Sequence, residues 1–198
     1  MVATPRGSKR DSILEAAARL IRTEGVHATS ISEIITESGS SAGTIYHHFA
    51  NKNDIVLAVA RRAVVDPLAE VLAAHPDEGM SPSDLFRAIV RTVIAGEVQS
   101  SLIVQLWAGS ADEPLLKEIM REQTTGLRQE MVVRLAVWLA QRGVPDAAGR
   151  AEALALLTLG QAMGLLAQRT LTPELDQSRY VAEASRMLDA LAADYAGE

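Results

Sequence analysis

The sequence predicts an all-α protein of about nine helices. Apolar residues recur at intervals of three and four, and N-cap residues followed by Gly or Pro stops divide the chain into segments of helical length. No alternating run bounded by turn residues indicates a strand, and no internal repeat is visible. With 198 residues, 48% of them hydrophobic, the chain is long enough for one large or two small domains with a real core.

The first helix is predicted from a capping pair and a glycine stop. Ser8 is followed three residues later by Asp11, the spacing at which a hydroxyl and a carboxylate cap a helix start. Gly25 ends the segment at about Glu24. The apolar face of this helix is expected to pack on the next two short helices.

A helix-turn-helix unit is predicted directly after the first helix. Ser30 and Glu33 form a capping box that starts a second helix, and Gly39 can end it by adopting the left-handed conformation. After a tight turn, residues 42–49 form a third helix. Two short helices joined at a steep angle across a Gly turn are typical of a DNA-binding unit whose second helix lies in the major groove.

The remaining helices are predicted from caps and prolines. A fourth helix follows Asn51, and Pro67 interrupts it because proline lacks the N–H and crowds the preceding turn. Ser81 and Pro82 start a fifth helix that runs to about Ser100. The sequence further predicts a sixth helix over 102–108, a seventh opened by Asp112 and stopped by Gly143 and Pro145, an eighth capped by Asp146 and a ninth opened by Thr172.

Charge is distributed unevenly along the chain. The formal net charge is −6, yet residues 1–62 hold an excess of Lys and Arg over Asp and Glu. A weakly basic end on an acidic body concentrates the attraction for phosphate at that end. Arg6, Lys9 and Arg10 precede or begin the first helix, where they can reach a phosphate or the minor groove. The alternative is ordinary solvated surface.

Several classes of chemistry are excluded by composition and context. The absence of Cys removes disulfides and thiolate chemistry, and we expect no metal and no cofactor. Residues 39–43 fit the Gly-x-Ser-x-Gly pattern of the nucleophile elbow in hydrolases. In those enzymes the elbow follows a β-strand, whereas in this sequence a capped helix precedes residues 39–43. No signal peptide is visible, and the uncharged run 153–168 is short for a membrane span. We therefore expect a soluble, cytoplasmic protein that is not an enzyme.

Four segments follow one another in a fixed order over some forty residues: Ile13-Leu14-Glu15-Ala16-Ala17, Gly25-Val26-His27-Ala28-Thr29-Ser30, Ser38-Gly39-Ser40-Ser41-Ala42-Gly43-Thr44-Ile45-Tyr46-His47-His48-Phe49 and Lys52. Together they resemble the TetR family of transcriptional regulators. Ser38 and Ser40 stand where the family usually has Ala and Val, and Ile35 stands where a small residue is common.

The residues and the resemblance together give a set of expected DNA contacts. The Tyr46 hydroxyl can donate to a phosphate oxygen, although a half-buried core position is the alternative. Thr29 and Ser30 open a helix whose N-terminus favours an anion. The resemblance implies that these residues and Lys52 hold the DNA backbone and that other residues lie nearest the base edges. The expected contacts are Arg6, Lys9, Arg10, Thr29, Ser30, Ser41, Ala42, Gly43, Thr44, Tyr46, His47 and Lys52.

The rest of the chain is expected to bind a ligand and to dimerise. The division is a helix-turn-helix DNA-binding domain over 1–50 and a ligand-binding and dimerisation domain over 51–198. Gly160 and Gly164 lie four apart on one helix face, which favours close approach of another backbone, either a second subunit or a neighbour in the same one. With Met187 and Leu188 of the ninth helix they form the expected dimer interface, as the resemblance also implies.

The resemblance further implies a small-molecule pocket enclosed by helices five to seven. Each apolar candidate also suits an ordinary core position. The candidates are Phe86, Val90, Gln105, Leu106, Trp107, Met120, Thr124, Leu127, Met131 and Gln161.

The expected function is that of a homodimeric repressor released from a palindromic operator in double-stranded DNA by a small-molecule effector. Two-fold symmetry of the dimer would place two recognition helices to match the two halves of such an operator. The alternative is a helical protein-interaction module without specific DNA binding.

Overall fold

A computed structural model of the chain describes residues 8–73, 79–95, 100–172 and 174–197. In these ranges the secondary structure is helical, without a strand. The helices are α1 (Lys9–Glu24), α2 (Ile31–Ser38), α3 (Ala42–His48), α4 (Lys52–Ala60), a π-helix (Arg61–Val65), α5 (Asp66–Ala73), α6 (Pro82–Ala95), α7 (Ser100–Gly109), α8 (Pro114–Ala140), α9 (Ala147–Leu171) and α10 (Gln177–Gly197). Because α4, the π-helix and α5 follow one another without a break, the prediction of about nine helices is confirmed.

The predicted starts and stops of the first three helices are confirmed. The Ser8 hydroxyl accepts from the Asp11 N–H, and the Asp11 carboxylate accepts from the Ser8 N–H in return. Gly25 caps the end of α1 with its N–H bonded to the carbonyl of Ile21, and Gly39 ends α2 in the left-handed conformation at φ 62°. Local sequence therefore sets these boundaries.

The predicted interruption near Pro67 takes the form of a π-helix. Its five residues, Arg61–Val65, lie directly before α5, which contains Pro67 at its second position. A proline at that position supplies no N–H to the preceding turn, and a wider helical turn accommodates the loss. The helix therefore changes its hydrogen bonding at this point instead of ending.

The start of the last helix was predicted wrongly. Thr172 ends α9, because its N–H donates to the carbonyl of Gln168 at 2.7 Å. The last helix, α10, begins at Gln177, where the Asp176 carboxylate accepts the N–H of Arg179 at 3.0 Å. An aspartate cap closer to the apolar stripe of α10 replaces the predicted threonine cap.

The chain divides into two compact units. The first contains Met1–Ala63 and Ser101–Arg121, and the second contains Val64–Ser100 and Glu122–Glu198. The core of the first unit joins residues of α1 to α4 with Leu102, Leu106 and Leu116. Part of α7 and the start of α8 therefore complete the core around the helix-turn-helix unit.

The second unit is built mainly by α6, α9 and α10. One buried cluster contains Leu85, Met131 and Leu154, and another contains Phe86 and Leu188. Within the part of the chain that the structure describes, α9 is long and apolar enough to cross a membrane, by length and composition only. Its buried positions belong to the core of this unit: Ala151, Leu154, Ala155, Thr158, Leu165 and Leu166.

Candidate nucleic-acid interface

The turn between α2 and α3 is fixed by short local hydrogen bonds. Gly39 supplies the left-handed residue, and the hydroxyl of Ser41 caps α3 by accepting the N–H of Thr44 at 3.1 Å. On the inner side of α3, Ile45 is completely buried in the core with Phe49. Because one face of α3 is anchored in this way, the opposite face is held out toward solvent.

The outer face of α3 brings together most of the predicted base-contact residues. Tyr46 is 57% exposed, so it is not the half-buried core residue that the sequence allowed as an alternative. Thr44 is partly buried, and its hydroxyl lies 2.9 Å from that of Ser41. The other exposed members of this face are Ser41, Ala42, Gly43 and His47.

The side chain of Thr29 is not available for a phosphate. Thr29 is 1% exposed, and its hydroxyl donates to the carbonyl of Gly25 at 2.9 Å. Its backbone N–H also donates to that carbonyl, at 3.3 Å. The prediction that Thr29 contacts DNA is therefore corrected: the residue closes the loop between α1 and α2.

Ser30 is committed to capping α2. Its hydroxyl donates to Oε2 of Glu33 at 2.6 Å, and its N–H donates to the same oxygen at 2.7 Å. These two hydrogen bonds from Ser30 lower the pKa of the Glu33 carboxyl below its ordinary value. The N-terminus of α2 thus already carries a carboxylate, which leaves less positive potential for a phosphate than the sequence suggested.

Lys52 connects the start of α4 to the loop before α2. Its Nζ donates to the backbone carbonyl of His27 at 3.2 Å. The His27 ring lies 3.8 Å from the Asp112 carboxylate, within the same unit. The ammonium of Lys52 is partly buried and retains two further N–H donors for a phosphate.

The basic residues at the start of α1 lie beside the same core. The guanidinium of Arg10 lies over the ring of Phe49 at 5.3 Å from its centroid, a cation–π contact. Lys9 is exposed on the first turn. Arg6 lies outside the described residues.

Two features of this unit were missed from the sequence. His48 is exposed beside His47, with the ring centroids 5.0 Å apart. Arg62 pairs with Asp11 at 3.2 Å and with Glu15 at 3.4 Å, which ties the π-helix to α1. No sequence pattern pointed to that long-range pair.

The predicted pocket residues are distributed over separate clusters. Leu106 is completely buried in the core of the first unit, and Met120 packs against that core. Gln105 is partly buried in the same unit, close to Gly25. Trp107 is also partly buried there. The core around the helix-turn-helix unit therefore uses residues that the sequence assigned to a ligand.

In the second unit the other pocket candidates also separate. Leu127 and Met131 belong to one cluster, and Phe86 and Val90 to another. Thr124 is exposed. Four of these five side chains therefore help to pack the unit, which is the alternative that the sequence left open.

Gln161 lines an open surface cleft of about 560 Å³ between α9 and α10. The hydroxyl of Tyr180 donates to Oε1 of Gln161 at 2.9 Å, and burial raises the pKa of that hydroxyl. Leu175 and Met187 supply apolar walls.

The predicted interface residues do not share one environment. Gly160 is exposed with open space around it, and Met187 is 49% exposed. A Cβ on Gly164 would lie 3.3 Å from the Tyr180 hydroxyl, so this glycine admits α10 of the same chain. Leu188 is completely buried beside Phe86 and cannot face a second subunit; its assignment to the interface was wrong because it lies on the inner side of α10.

Comparison with known proteins agrees with the geometry of the first unit. The model of the family described as "Bacterial regulatory proteins, tetR family" matches residues 13–59, which extend from α1 into α4. The transcriptional regulator BetI of Burkholderia mallei (strain NCTC 10229) is 25% identical over 157 residues, covering 75% of this chain and 78% of BetI. The chain belongs to the TetR family.

Two further matches are also transcriptional regulators. The uncharacterized regulator YxaF of Bacillus subtilis (strain 168) is 30% identical over 88 residues, 44% of this chain, so the match spans about half (46%) of YxaF. The crystal structure of a regulator from Saccharomonospora viridis in complex with choline superposes with a TM-score of 0.64 at 26% identity, covering 91% of this chain and 93% of that one. This TetR-family chain is therefore a DNA-binding transcriptional regulator and, like its relatives, not an enzyme.

Proposed function

We propose that this TetR-family regulator binds a palindromic operator as a homodimer and is released from it by a small-molecule effector. The observation that carries the DNA-binding part is the outer face of α3, which is anchored by Ile45 on one side and exposes Tyr46 and His47 on the other. A short helix presented in this way fits the width of the major groove.

The proposed DNA contacts are of two kinds, those that position the protein on the phosphate backbone and those that read the bases. Tyr46 and Lys52 donate to phosphates and fix the position of the helix-turn-helix unit on the duplex. Lys9 and Arg10 reach the phosphate backbone beside it. The hydroxyl and the N–H of Ser30 are both bonded to Glu33, so this residue supports the interface by holding the start of α2 in place. Residues nearest the base edges are Ser41, Ala42, Thr44 and His47, with Gly43 allowing close approach.

The second subunit is proposed to pack on the outer face of α9. Leu156 and Met163 lie on that face with Gly160, at intervals of four and three residues, and Leu171 extends the stripe. Leu171 is 81% exposed and Leu156 is 61% exposed, which is unusual for leucines of a folded helical protein. A two-fold axis beside this stripe would bury it against its own copy.

The effector is proposed to bind in the second unit and to favour the arrangement that does not bind DNA. A ligand shifts such an equilibrium only by its difference in affinity for the two arrangements. The choline bound to the Saccharomonospora viridis regulator, a protein of similar fold, supports a small-molecule effector for this chain as well. We expect the protein to act in the cytoplasm.

Fluorescence anisotropy against duplexes that tile the DNA upstream of its own gene tests operator binding. We expect tight binding to one tile that weakens steeply with salt, yet stays well above a shuffled duplex near physiological ionic strength. Equal and weak binding to all tiles, unchanged in a Tyr46→Ala/Lys52→Ala variant, would overturn the proposal in favour of a protein-interaction module.

A further inference from the structure

Most of the unpartnered buried polar side-chain atoms among the described residues lie on α9 or α10. Among the described residues, four buried side-chain nitrogen or oxygen atoms lack a hydrogen-bond partner. Three of them lie on these two helices: Oγ1 of Thr158, Nη1 of Arg169 and Oγ of Ser185. Of the three, only the Arg169 nitrogen carries charge, so its burial is the most costly.

Helix geometry places Arg169 on the inner side of α9. Arg169 follows Thr158 by eleven residues. At 100° per residue, the two side chains leave the helix axis in directions that differ by only about 20°. Leu165 and Leu166, one turn before it, are 2% and 5% exposed. The side chain of Arg169 therefore extends the buried stripe of α9 toward its C-terminal end.

The same geometry directs Arg169 away from the surface proposed for the second subunit. Gly160 and Met163, on the outer face, lie about 180° and 120° around the helix from it. A carboxylate of a second copy packed on that face would therefore lie on a different side of α9 from the Arg169 side chain.

Guanidinium chemistry defines the kind of acceptor that is missing. Arginine remains protonated at all relevant pH values and has no acceptor of its own, so it cannot relieve the burial by losing its proton. A carboxylate or a phosphate can accept two parallel N–H hydrogen bonds from the guanidinium and neutralise its positive charge at the same time.

We propose that Arg169 binds the anionic group of the effector, a carboxylate or a phosphate monoester, through its buried Nη1. This inference rests on the proposed function, since it names the chemical class of the effector that the second unit binds. It also gives a partner to the buried Nη1 of Arg169, a residue whose side chain is otherwise partly exposed.

The test compares head groups on one constant chain. Octanoate, octyl phosphate, octan-1-ol and octylammonium are titrated into the full-length protein, with affinity measured by calorimetry and thermal stability by scanning fluorimetry. We expect octanoate or octyl phosphate to bind about tenfold or more tightly than octan-1-ol, because a charge-assisted pair is added, and octylammonium to bind most weakly. Absence of any preference for the anions, including absence of binding by all four, would overturn the proposal.

Variants separate Arg169 from general attraction of anions. Arg169→Met keeps an apolar chain of similar length and should abolish the preference for the anion, whereas Arg169→Lys should retain part of it. The control is Arg186→Met on α10, since Arg186 is exposed and pairs with Glu183 at 2.6 Å; it should behave as the wild type. Retention of the full preference by Arg169→Met would overturn the proposal, and circular dichroism confirms that each variant is folded.

Operator binding by the ligand-free wild type is measured separately in the anisotropy assay. A wild type that binds its operator without discriminating between the head groups contradicts the anion site alone. A wild type that discriminates through Arg169 yet binds no operator contradicts the proposed function and leaves the anion site supported.

Discussion

A Cβ placed on Gly109, at the end of α7, would lie 2.9 Å from both Cβ and Cγ2 of Val26 in the loop between α1 and α2. It would also lie 3.4 Å from Cδ2 of Leu116. Real Cβ atoms do not approach each other so closely, so position 109 admits only glycine with this packing. The loop that precedes α2 is thus held against residues 101–121 of the same unit.

We predict that Gly109→Ala destabilises the protein. Alanine is a better helix former than glycine by about 1 kcal/mol, but overpacking against Val26 costs about 1–3 kcal/mol, so the net change is unfavourable. Urea unfolding measures it. Operator affinity should fall as well, because the displaced loop leads directly into α2.

Gly126→Ala is the matched control for this substitution. Gly126 lies within α8, and nothing lies within 4 Å of the Cβ that alanine would add. This variant should be stabilised by about 0.5–1 kcal/mol through helix propensity alone. If both variants change stability in the same direction, the close approach of Gly109 to Val26 is not what constrains position 109.

Two buried threonines should respond oppositely to replacement by valine. Thr158 is completely buried and its hydroxyl has no partner, so Thr158→Val should stabilise the protein by about 1 kcal/mol. Thr29 is equally buried but donates to Gly25, so Thr29→Val should destabilise it by about 1 kcal/mol. Urea unfolding of both variants gives the comparison. A loss of stability in Thr158→Val would mean that an ordered water satisfies its hydroxyl.

Local signals in the sequence were sufficient to predict the helix-turn-helix unit. The caps at Ser8, Ser30 and Asn51 and the stop at Gly39 each depend on a hydroxyl, an amide or a left-handed residue within four positions. Because the interacting residues are close in sequence, the sequence alone is sufficient to predict these interactions.

Long-range packing was what the sequence could not predict. Nothing in the residue pattern indicated that Leu106 would enter the core around α1, or that Thr29 would be buried by its bond to Gly25. Leu188 was placed on the wrong side of α10 because adjacent apolar residues, Met187 and Leu188, fit the interface equally well by pattern. Which of two neighbouring apolar residues faces inward depends on the partner helix.

Acid should weaken the capping of α2. Hydrogen bonds from Ser30 lower the pKa of Glu33 from its ordinary value of 4.5, so the folded state favours the carboxylate. This contribution is complete above pH 4.5 and is lost as the pH falls through the lower folded pKa. Glu33→Gln removes the titration but retains a capping side chain.

The measurement is urea unfolding of the wild type and Glu33→Gln between pH 7 and pH 3. The stability advantage of the wild type should shrink as the pH falls below 4.5. Ser30→Ala, which lacks the hydroxyl that holds the carboxylate, should lose much of this dependence. An advantage that stays constant with pH would contradict the role of the capping box.

The proposed dimer surface is tested by a charge on the outer face of α9. Met163 is 38% exposed between Gly160 and Ala167, and Met163→Glu should convert the dimer to a monomer because an unpaired carboxylate cannot be buried there. Analytical ultracentrifugation reports the mass. Val133→Glu on α8, where the valine is 55% exposed, should remain a dimer. A monomeric wild type, or a dimeric Met163→Glu, would contradict the assignment.

Tyr46→Phe tests whether α3 is positioned by a phosphate contact. The ring is exposed and Ile45 carries the packing of the helix, so the variant should fold normally. Loss of one hydrogen bond to a charged phosphate should weaken operator binding by about tenfold. Because a phosphate contact carries no sequence information, binding to a shuffled duplex should weaken by a similar factor.

Salt dependence distinguishes this contact from that of Lys52. Tyrosine is neutral, so Tyr46→Phe should leave the slope of log affinity against log salt unchanged, whereas Lys52→Met should reduce it by about one. His47→Ala provides the contrast, since a residue near base edges should change the ranking of operator variants. If Tyr46→Phe alters that ranking while His47→Ala does not, the two residues have exchanged roles, and Tyr46 reads the base sequence.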